Sequence, residues 1–283
     1  MDTVERKMND RSSHARLSDI PRIATLTVGL LLIGGFVMWY QRAEQPAETA
    51  GPTTQSPQAG GREQPSDEDE YAPARRRMVS RDLAGRNITD KRVLEAMGRV
   101  PRHRFVPKEM VDQAYADHPL PIGHGQTISQ PYIVALMSQL AGCEPESRAL
   151  DIGTGSGYQA AVLAELCKDV YSIEIVRPLA EAARARLAKL GHENVEVRAG
   201  DGYRGWPEHA PFDVIIVAAA PEEVPQPLID QLAPGGRLII PVGRFFQKLV
   251  LIEKRADGTI NRKSVTAVAF VPMTGEARSD SAE

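Results

Sequence analysis

The residues best suited to chemistry form a glycine-rich turn with an acidic residue at its start. Asp151 to Gly157 read Asp-Ile-Gly-Thr-Gly-Ser-Gly, and glycines that follow a short apolar segment let a ligand approach the backbone closely. The spacing differs from the G-x-G-x-x-G of dinucleotide sites, because Tyr158 stands where the third glycine would fall. An acid two residues before the first glycine suits a ligand with a cationic amino-acid end better than it suits a diphosphate.

Two further acidic positions follow the next strand-like segments. Glu174 lies nineteen residues after Gly155, where a carboxylate can accept hydrogen bonds from both hydroxyls of a ribose. Asp201 and Gly202 follow a later segment, and an acid there can reach the amino group of an adenine. Each feature alone has a structural explanation as a turn cap, a solvated strand end or an ordinary turn. In this order they predict an adenosyl ligand without phosphates, either S-adenosylmethionine or a close analogue. The residues assigned to it are Asp151, Gly153, Gly155, Gly157, Glu174, Asp201 and Gly202.

Alternating strand-like and helix-like segments surround this turn. From about residue 78 to 283, short apolar runs such as 212–217 alternate with amphipathic stretches such as 177–190. This pattern predicts an α/β fold with a mostly parallel, doubly wound sheet and helices on both faces. In such a sheet the carboxyl ends of the strands meet at one edge, which would bring the turn, Glu174 and Asp201 together.

A second motif precedes the first strand and points to a family. Residues 125–132 read Gly-Gln-Thr-Ile-Ser-Gln-Pro-Tyr. Together with segments 100–107, 150–159, 200–202 and 270–274, this motif resembles the protein-L-isoaspartate O-methyltransferases over about residues 78–275. The resemblance implies a Rossmann-like class I methyltransferase that transfers a methyl group from S-adenosylmethionine to the free α-carboxylate of an isoaspartyl residue in a damaged protein. The ester then collapses to a succinimide, which can hydrolyse to normal aspartate. The resemblance also places the active-site serine on Ser129 and further donor contacts on Gln126, Thr127 and Thr274.

Ser129 has two interpretations. It precedes an apolar helical run at 132–140 with Pro131 in the first turn, so it is a plain N-cap, a group that orients the substrate, or both. A helix N-terminus favours an anionic substrate. A carboxylate is already a nucleophile at neutral pH, so the site needs to position it and needs no strong base.

Other functions on the same fold stay open as alternatives. The segment Ala218-Ala-Ala-Pro221 lacks the Asn/Asp-Pro-Pro-Tyr that is typical of methyltransferases acting on exocyclic base nitrogens. A small-molecule or RNA methyltransferase would have the same donor site. A non-catalytic, membrane-tethered binding protein is the alternative from a different class, although the intact set of acidic residues and Ser129 disfavours it.

Composition narrows the choice of partners. A net charge of -3 and a pI near 6.1 disfavour nucleic-acid binding. Cys143 and Cys167 have no metal-ligand spacing, so we expect no metal site. The expected partners are isoaspartyl proteins and peptides, and the catalytic domain is expected to be a monomer.

The first 77 residues differ in character from the rest. Residues 1–22 are polar, 23–40 run for 18 residues without a charge, and 41–77 have the composition of a disordered linker. The apolar run would form a helix of roughly 27 Å, close to the thickness of a membrane core, with Trp39 and Tyr40 as an interfacial belt. It predicts one transmembrane helix ahead of the catalytic domain at 78–283, and thus a single-pass membrane protein.

Two observations complicate this location. Five basic residues precede the run and only Arg42 follows it closely, which places the catalytic domain outside the cytoplasm by the positive-inside rule. The methyl donor is a cytoplasmic metabolite, so the side of the membrane is left open. A cytoplasmic protein, as is usual for the family, and translation from Met78 are the alternatives.

Overall fold

A computed structural model of the chain describes residues 67–275. Its helices are α1 (Asp67–Arg77), α2 (Lys91–Arg99), α3 (Pro131–Ala141), α4 (Tyr158–Ala164), α5 (Arg177–Lys189) and α6 (Gln226–Asp230). Its strands are β1 (Leu120–Gly123), β2 (Gln126–Ile128), β3 (Arg148–Ile152), β4 (Asp169–Glu174), β5 (Val195–Ala199), β6 (Phe212–Val217), β7 (Leu232–Val242), β8 (Gln247–Lys254) and β9 (Ile260–Val268). A π-helical segment at Met78–Ala84 continues α1, and short 3-10 turns connect several of the elements.

Seven strands form the central sheet in the order β5-β4-β3-β6-β7-β8-β9. The first five strands run parallel to one another, β8 is antiparallel to β7, and β9 is antiparallel to β8. The chain order reverses on either side of β3, and ligands bind outside the carboxyl ends of strands at such a switch point. The predicted mostly parallel sheet is therefore confirmed, and its glycine-rich turn follows the strand at the switch point.

Apolar side chains cover both faces of this sheet. Neighbouring residues of one strand belong to different clusters: Ala149 packs into one core and Leu150 into the other, and Ile216 and Ile215 divide in the same way. Successive strand residues point to opposite faces, so continuous apolar runs are what a sheet buried on both sides requires.

The folded part begins before the predicted boundary at residue 78. Helix α1 lies within the segment assigned to the linker, and the Tyr71 ring stacks on His103 at 4.5 Å between centroids. Arg75 Nη1 donates to the Tyr115 hydroxyl at 3.2 Å. Met78 is buried. This corrects the boundary, because residues 67–77 pack onto the domain through these side chains and not through an apolar period of their own.

The predicted N-terminal segment at 1–22, the apolar run at 23–40 and the rest of the predicted linker up to residue 66 lie outside the described residues. Within residues 67–275, no helix combines the length and the apolar character needed to cross a membrane.

Candidate active site

An open cleft lies at the carboxyl edge of the parallel strands. One side, here called the sheet wall, consists of residues 152–156, 173–175 and 218–219 from the ends of β3, β4 and β6. The other main part of the lining, here called the outer wall, consists of residues 126–129 and 271–274, which lie outside the parallel strands. Val134, Tyr158, Gln159 and Gly202 complete the lining.

The glycine-rich turn runs along the sheet wall with its backbone exposed to the cleft. Gly153 and Gly155 have φ angles of 88° and 52°, in the left-handed region that residues other than glycine rarely adopt. The amide of Gly153 donates to the carbonyl of Ile173 at 2.8 Å. The turn is thereby fastened to the neighbouring strand β4.

Glu174 ends β4 and faces the same turn. Its Oε2 accepts from the Gly155 amide at 2.8 Å and its Oε1 accepts from the Val176 amide at 2.9 Å. The side chain is buried, yet it lines the cleft. An ionised carboxylate offers about four acceptor positions, so two backbone bonds fix its orientation and leave capacity for two more donors.

Asp151 lies behind the sheet wall and does not line the cleft. The Ser172 hydroxyl donates to its Oδ2 at 2.7 Å and shares a 2.6 Å hydrogen bond with the Thr154 hydroxyl. Its Oδ1 is buried without a partner. Burial raises the pKa of Asp151 from an ordinary 3.8 to about 7; the hydrogen bond from Ser172 lowers the pKa, and the charge of Glu174 raises it. Asp151 thus supports the turn through Ser172.

Two other predicted positions also stand outside the lining. Gly157, at the N-cap of α4 with a φ of 90°, lies so close to α5 that an added Cβ would come within 3.2 Å of Leu187 Cδ1. Asp201 Oδ1 accepts from the Tyr203 amide at 2.9 Å. An added side chain at Gly275 would collide with the Asp201 carboxylate, so Asp201 lies against the end of the outer wall.

The outer wall begins with the hairpin of β1 and β2. Gln126, Thr127 and Ser129 line the cleft and are half-buried. Gln130, not Ser129, occupies the N-cap position of α3. The Tyr132 amide in the first turn donates to Asp117 Oδ1 at 2.9 Å. The interpretation of Ser129 as a plain helix cap is therefore wrong, since Asp117 supplies the acceptor.

The segment 271–274 completes the outer wall. The Ala220 amide donates to the Val271 carbonyl at 2.8 Å, and the Met273 amide donates to the Ala220 carbonyl at 2.8 Å. These bonds hold the segment beside the end of β6 and bring Thr274 to the cleft. Several lining residues were given no role at the site from the sequence: Ala218, Ala219, Val271, Pro272 and Met273.

A buried pair next to the hairpin was also missed. Gln159 Nε2 donates to the Ser138 hydroxyl at 3.0 Å, and Gln159 lines the cleft from α4. A polar residue inside the apolar run of α4, directly after the glycine-rich turn, is the signal that would have identified it.

Comparison with known proteins decides which family has this arrangement. The family model for protein-L-isoaspartate(D-aspartate) O-methyltransferase matches residues 74–278. The chain belongs to the protein-L-isoaspartate O-methyltransferase family. The enzyme uses S-adenosylmethionine to methylate L-isoaspartyl residues, the step that starts their repair. The predicted family, reaction and donor are confirmed, and the other functions considered for this fold are set aside.

Individual members of the protein-L-isoaspartate O-methyltransferase family agree with this assignment. Protein-L-isoaspartate O-methyltransferase 2 of Polaromonas sp. strain JS666 is 57% identical over 70% of this chain and 94% of its own length. The enzyme of Synechococcus sp. strain JA-2-3B'a(2-13) is 53% identical over 83% of this chain and 96% of its own length. A solved structure from Plasmodium falciparum, in complex with S-adenosyl-L-homocysteine, has a TM-score of 0.63 and 29% identity over 71% of this chain and 98% of that one.

Proposed function

We propose that the sheet wall holds the methyl donor and that Ser129, on the outer wall, positions the isoaspartyl carboxylate. The observation that carries this division is the Glu174 carboxylate, which two backbone amides fix in place while it still faces the cleft. It stands beside the exposed backbone of the glycine-rich turn and shares the cleft with the hairpin that carries Ser129.

The residues of the sheet wall fit S-adenosylmethionine. Glu174 has acceptor capacity left for the two ribose hydroxyls, and Gly153 and Gly155 let the amino-acid end of the donor approach the backbone. Gly202 borders the region assigned to the adenine, with Asp201 and Thr274 beside it. Gln126 and Thr127 would contact the donor from the outer wall. When bound, the donor supplies an electrophilic methyl group on a cationic sulfur.

Asp151 and Gly157 take supporting roles in this proposal. Asp151 holds Ser172 and, through it, Thr154 at the start of the turn. Gly157 allows α4 and α5 to pack closely behind the turn. Neither residue needs to touch the donor in order to shape its site.

Ser129 acts on the substrate by position. The isoaspartyl carboxylate is ionised at neutral pH, so the protein has no proton to remove before attack. A hydroxyl that donates one hydrogen bond to one carboxylate oxygen leaves the other oxygen free to approach the methyl group. Holding reactants in such an arrangement is worth several kcal/mol, on the order of 7–11 in the best-oriented systems.

The test of these roles is methyl transfer from labelled S-adenosylmethionine to an isoaspartyl peptide, beside the same peptide with normal aspartate. We expect label on the isoaspartyl peptide alone, in an ester that is lost in mild base, and we expect the Ser129→Ala enzyme to lose turnover while it still binds S-adenosylhomocysteine. Wild-type turnover in Ser129→Ala, with both substrates saturating, would remove Ser129 from the site.

We also propose that residues 23–40 anchor the enzyme in a membrane as a single helix. Their 18 uncharged residues and the two aromatic residues at the end support this. Cell fractionation should find the full chain in membranes and the Leu31→Arg variant displaced to the soluble fraction. Equal soluble fractions for both proteins would contradict the anchor. Protease protection in intact and opened cells then decides which side the catalytic domain occupies.

We propose that the catalytic domain works as a monomer, because the residues assigned to the donor and to the substrate all lie within this one domain. Light scattering with the full chain in detergent should give the mass of one protein chain. A concentration-dependent rise in specific activity would contradict this proposal.

A further inference from the structure

Two adjacent phenylalanines are strongly exposed in a domain that otherwise buries its large apolar side chains. Phe245 is 79% and Phe246 is 84% exposed. The other exposed large apolar residues among positions 67–275 are Ile175 at 43% and Ile260 at 37%. Contiguous apolar groups left in water often mark a surface that binds something.

The two rings lie on the hairpin between β7 and β8, next to the cleft. Strand β7 is parallel to β6, so its carboxyl end reaches the same edge of the sheet as the active site. The Gly243 amide donates to the Pro221 carbonyl at 2.9 Å. Gln247 exchanges hydrogen bonds of 3.0 and 2.6 Å with the backbone of Phe270. The hairpin is thus fastened directly beside segments 218–219 and 271–274, which line the cleft.

The hairpin has a defined shape. Gly243 has a φ of 126°, and a side chain there would collide with the Phe246 carbonyl. The Arg244 guanidinium lies 5.3 Å from the centre of the Phe245 ring, and its Nε is 3.8 Å from Glu222 Oε1. Arg244 therefore supports the Phe245 ring, which leaves most of the ring in solvent.

We propose that Phe245 and Phe246 form a docking surface for the polypeptide around the isoaspartyl residue and favour substrates with apolar side chains near it. This rests on the proposed function. An isoaspartyl residue in the cleft is part of a chain that continues past the rim, and each extended residue spans up to about 3.6 Å. The hairpin that carries the two rings is bonded beside both segments at that rim, so neighbouring substrate residues can reach the rings. A damaged, locally unfolded protein presents apolar side chains there.

The test is steady-state kinetics of the full chain with two isoaspartyl peptides, one with Leu and Phe flanking the isoaspartate and one with Ser and Gly. The wild type should prefer the apolar peptide in kcat/KM by about tenfold, as burial of one large apolar side chain allows. Phe245→Ser and Phe246→Ser should each raise KM for the apolar peptide and remove most of this preference. Their kcat and their affinity for S-adenosylhomocysteine should stay at the wild-type values.

Ile260→Ser is the matched control, because Ile260 pairs with Lys254 at the opposite end of β8 from the hairpin. It should keep the full preference. No preference in the wild type, while both peptides are methylated, would overturn the docking surface alone; no methylation of either peptide would instead overturn the proposed function. The proposal would also be overturned if the phenylalanine variants kept the peptide preference but lost vesicle binding, which would assign the surface to a membrane. Loss of self-association with an unchanged peptide preference would instead assign the surface to a second copy of the chain.

Discussion

The two walls of the cleft are built in different ways. The sheet wall consists of strand ends. Its main contacts join residues of the same βαβ unit, such as Gly155 after β3 and Glu174 at the end of β4. The outer wall combines segments 126–129 and 271–274, which lie before and after almost the whole sheet in the chain. In the proposed division of roles, most of the donor site comes with the fold, whereas the acceptor site is assembled from peripheral segments. The same sheet can serve many methyl acceptors, because only the additions need to differ.

The walls also differ in what a substitution should disturb. Buried hydrogen bonds hold the sheet wall from behind, so changes there should affect donor affinity and stability together. The outer wall is a short hairpin and a segment that backbone hydrogen bonds hold beside Ala220. Changes in its cleft-facing side chains should affect turnover with little loss of stability.

The largest effect should come from Glu174→Ala. A hydrogen bond to a charged group is worth about 1.5–3 kcal/mol, so loss of the ribose contacts should weaken S-adenosylhomocysteine binding by about a hundredfold. Calorimetric titration measures this directly. Glu181→Ala, an exposed acid on α5, is the control and should bind as the wild type does. An unchanged dissociation constant in Glu174→Ala would exclude Glu174 from the donor site.

Ser129→Ala should act on turnover. We expect kcat to fall by about tenfold or more, because the lost contact matters most in the transition state, and we expect the melting temperature to stay nearly constant. Asp117→Ala is the opposite case. It removes the acceptor for the Tyr132 amide and should cost about 1 kcal/mol of stability, as cap losses do, with kcat largely kept. If both variants lost stability and neither lost kcat, the division between the two walls would fail.

The sequence predicts the sheet wall well because its signals are local. Glycine spacing and an acid at the end of a strand can both be recognised within a short stretch of sequence. Parallel strands then bring them together, because their carboxyl ends meet at one edge of the sheet. The cap on α3 escaped prediction because Asp117 acts from fifteen residues upstream. Helix α1 escaped prediction because its residues carry no apolar period, although Tyr71 and Arg75 contact His103 and Tyr115 and Ala74 packs against the core. Segment 271–273 belongs to a family motif in the sequence, but only the fold shows that it lies beside Ala220 and lines the cleft.

Gly202→Ala probes the point where the two walls touch. An added Cβ would collide with Ile152 Cγ2 on the sheet wall and come within 3.1 Å of Met273 Cε on the outer wall. Overpacking of this kind costs about 1–3 kcal/mol, which urea denaturation would measure. Ile152→Leu, which removes the clashing branch, should recover part of the loss. Gly98→Ala, with nothing within 4 Å of the new methyl group, should cost no stability.

Asp151→Asn should change the pH dependence of stability. The folded enzyme holds this carboxyl with a pKa of about 7, and the unfolded chain has it near 3.8. At a pH between these two pKa values, the folded state holds the Asp151 proton and the unfolded chain has released it. The contribution of Asp151 to the free energy of unfolding is therefore complete below about pH 4 and is lost as the pH rises through about 7. The melting temperature of the wild type should therefore fall relative to that of Asp151→Asn between about pH 5 and pH 8. Parallel profiles would show that the folded enzyme already holds Asp151 ionised at pH 5, so that its pKa is not raised.

The same variant decides how Asp151 serves the sheet wall. An asparagine oxygen can still accept from Ser172 and hold the turn, but it carries no charge for the amino group of the donor. If Asp151 works only from behind the wall, Asp151→Asn should bind S-adenosylhomocysteine within about twofold of the wild type, whereas Asp151→Ala should weaken binding as the turn loses its support. A strong loss in Asp151→Asn itself would mean that the charge reaches the donor, and the sheet wall would then bind by direct electrostatics as well as by shape.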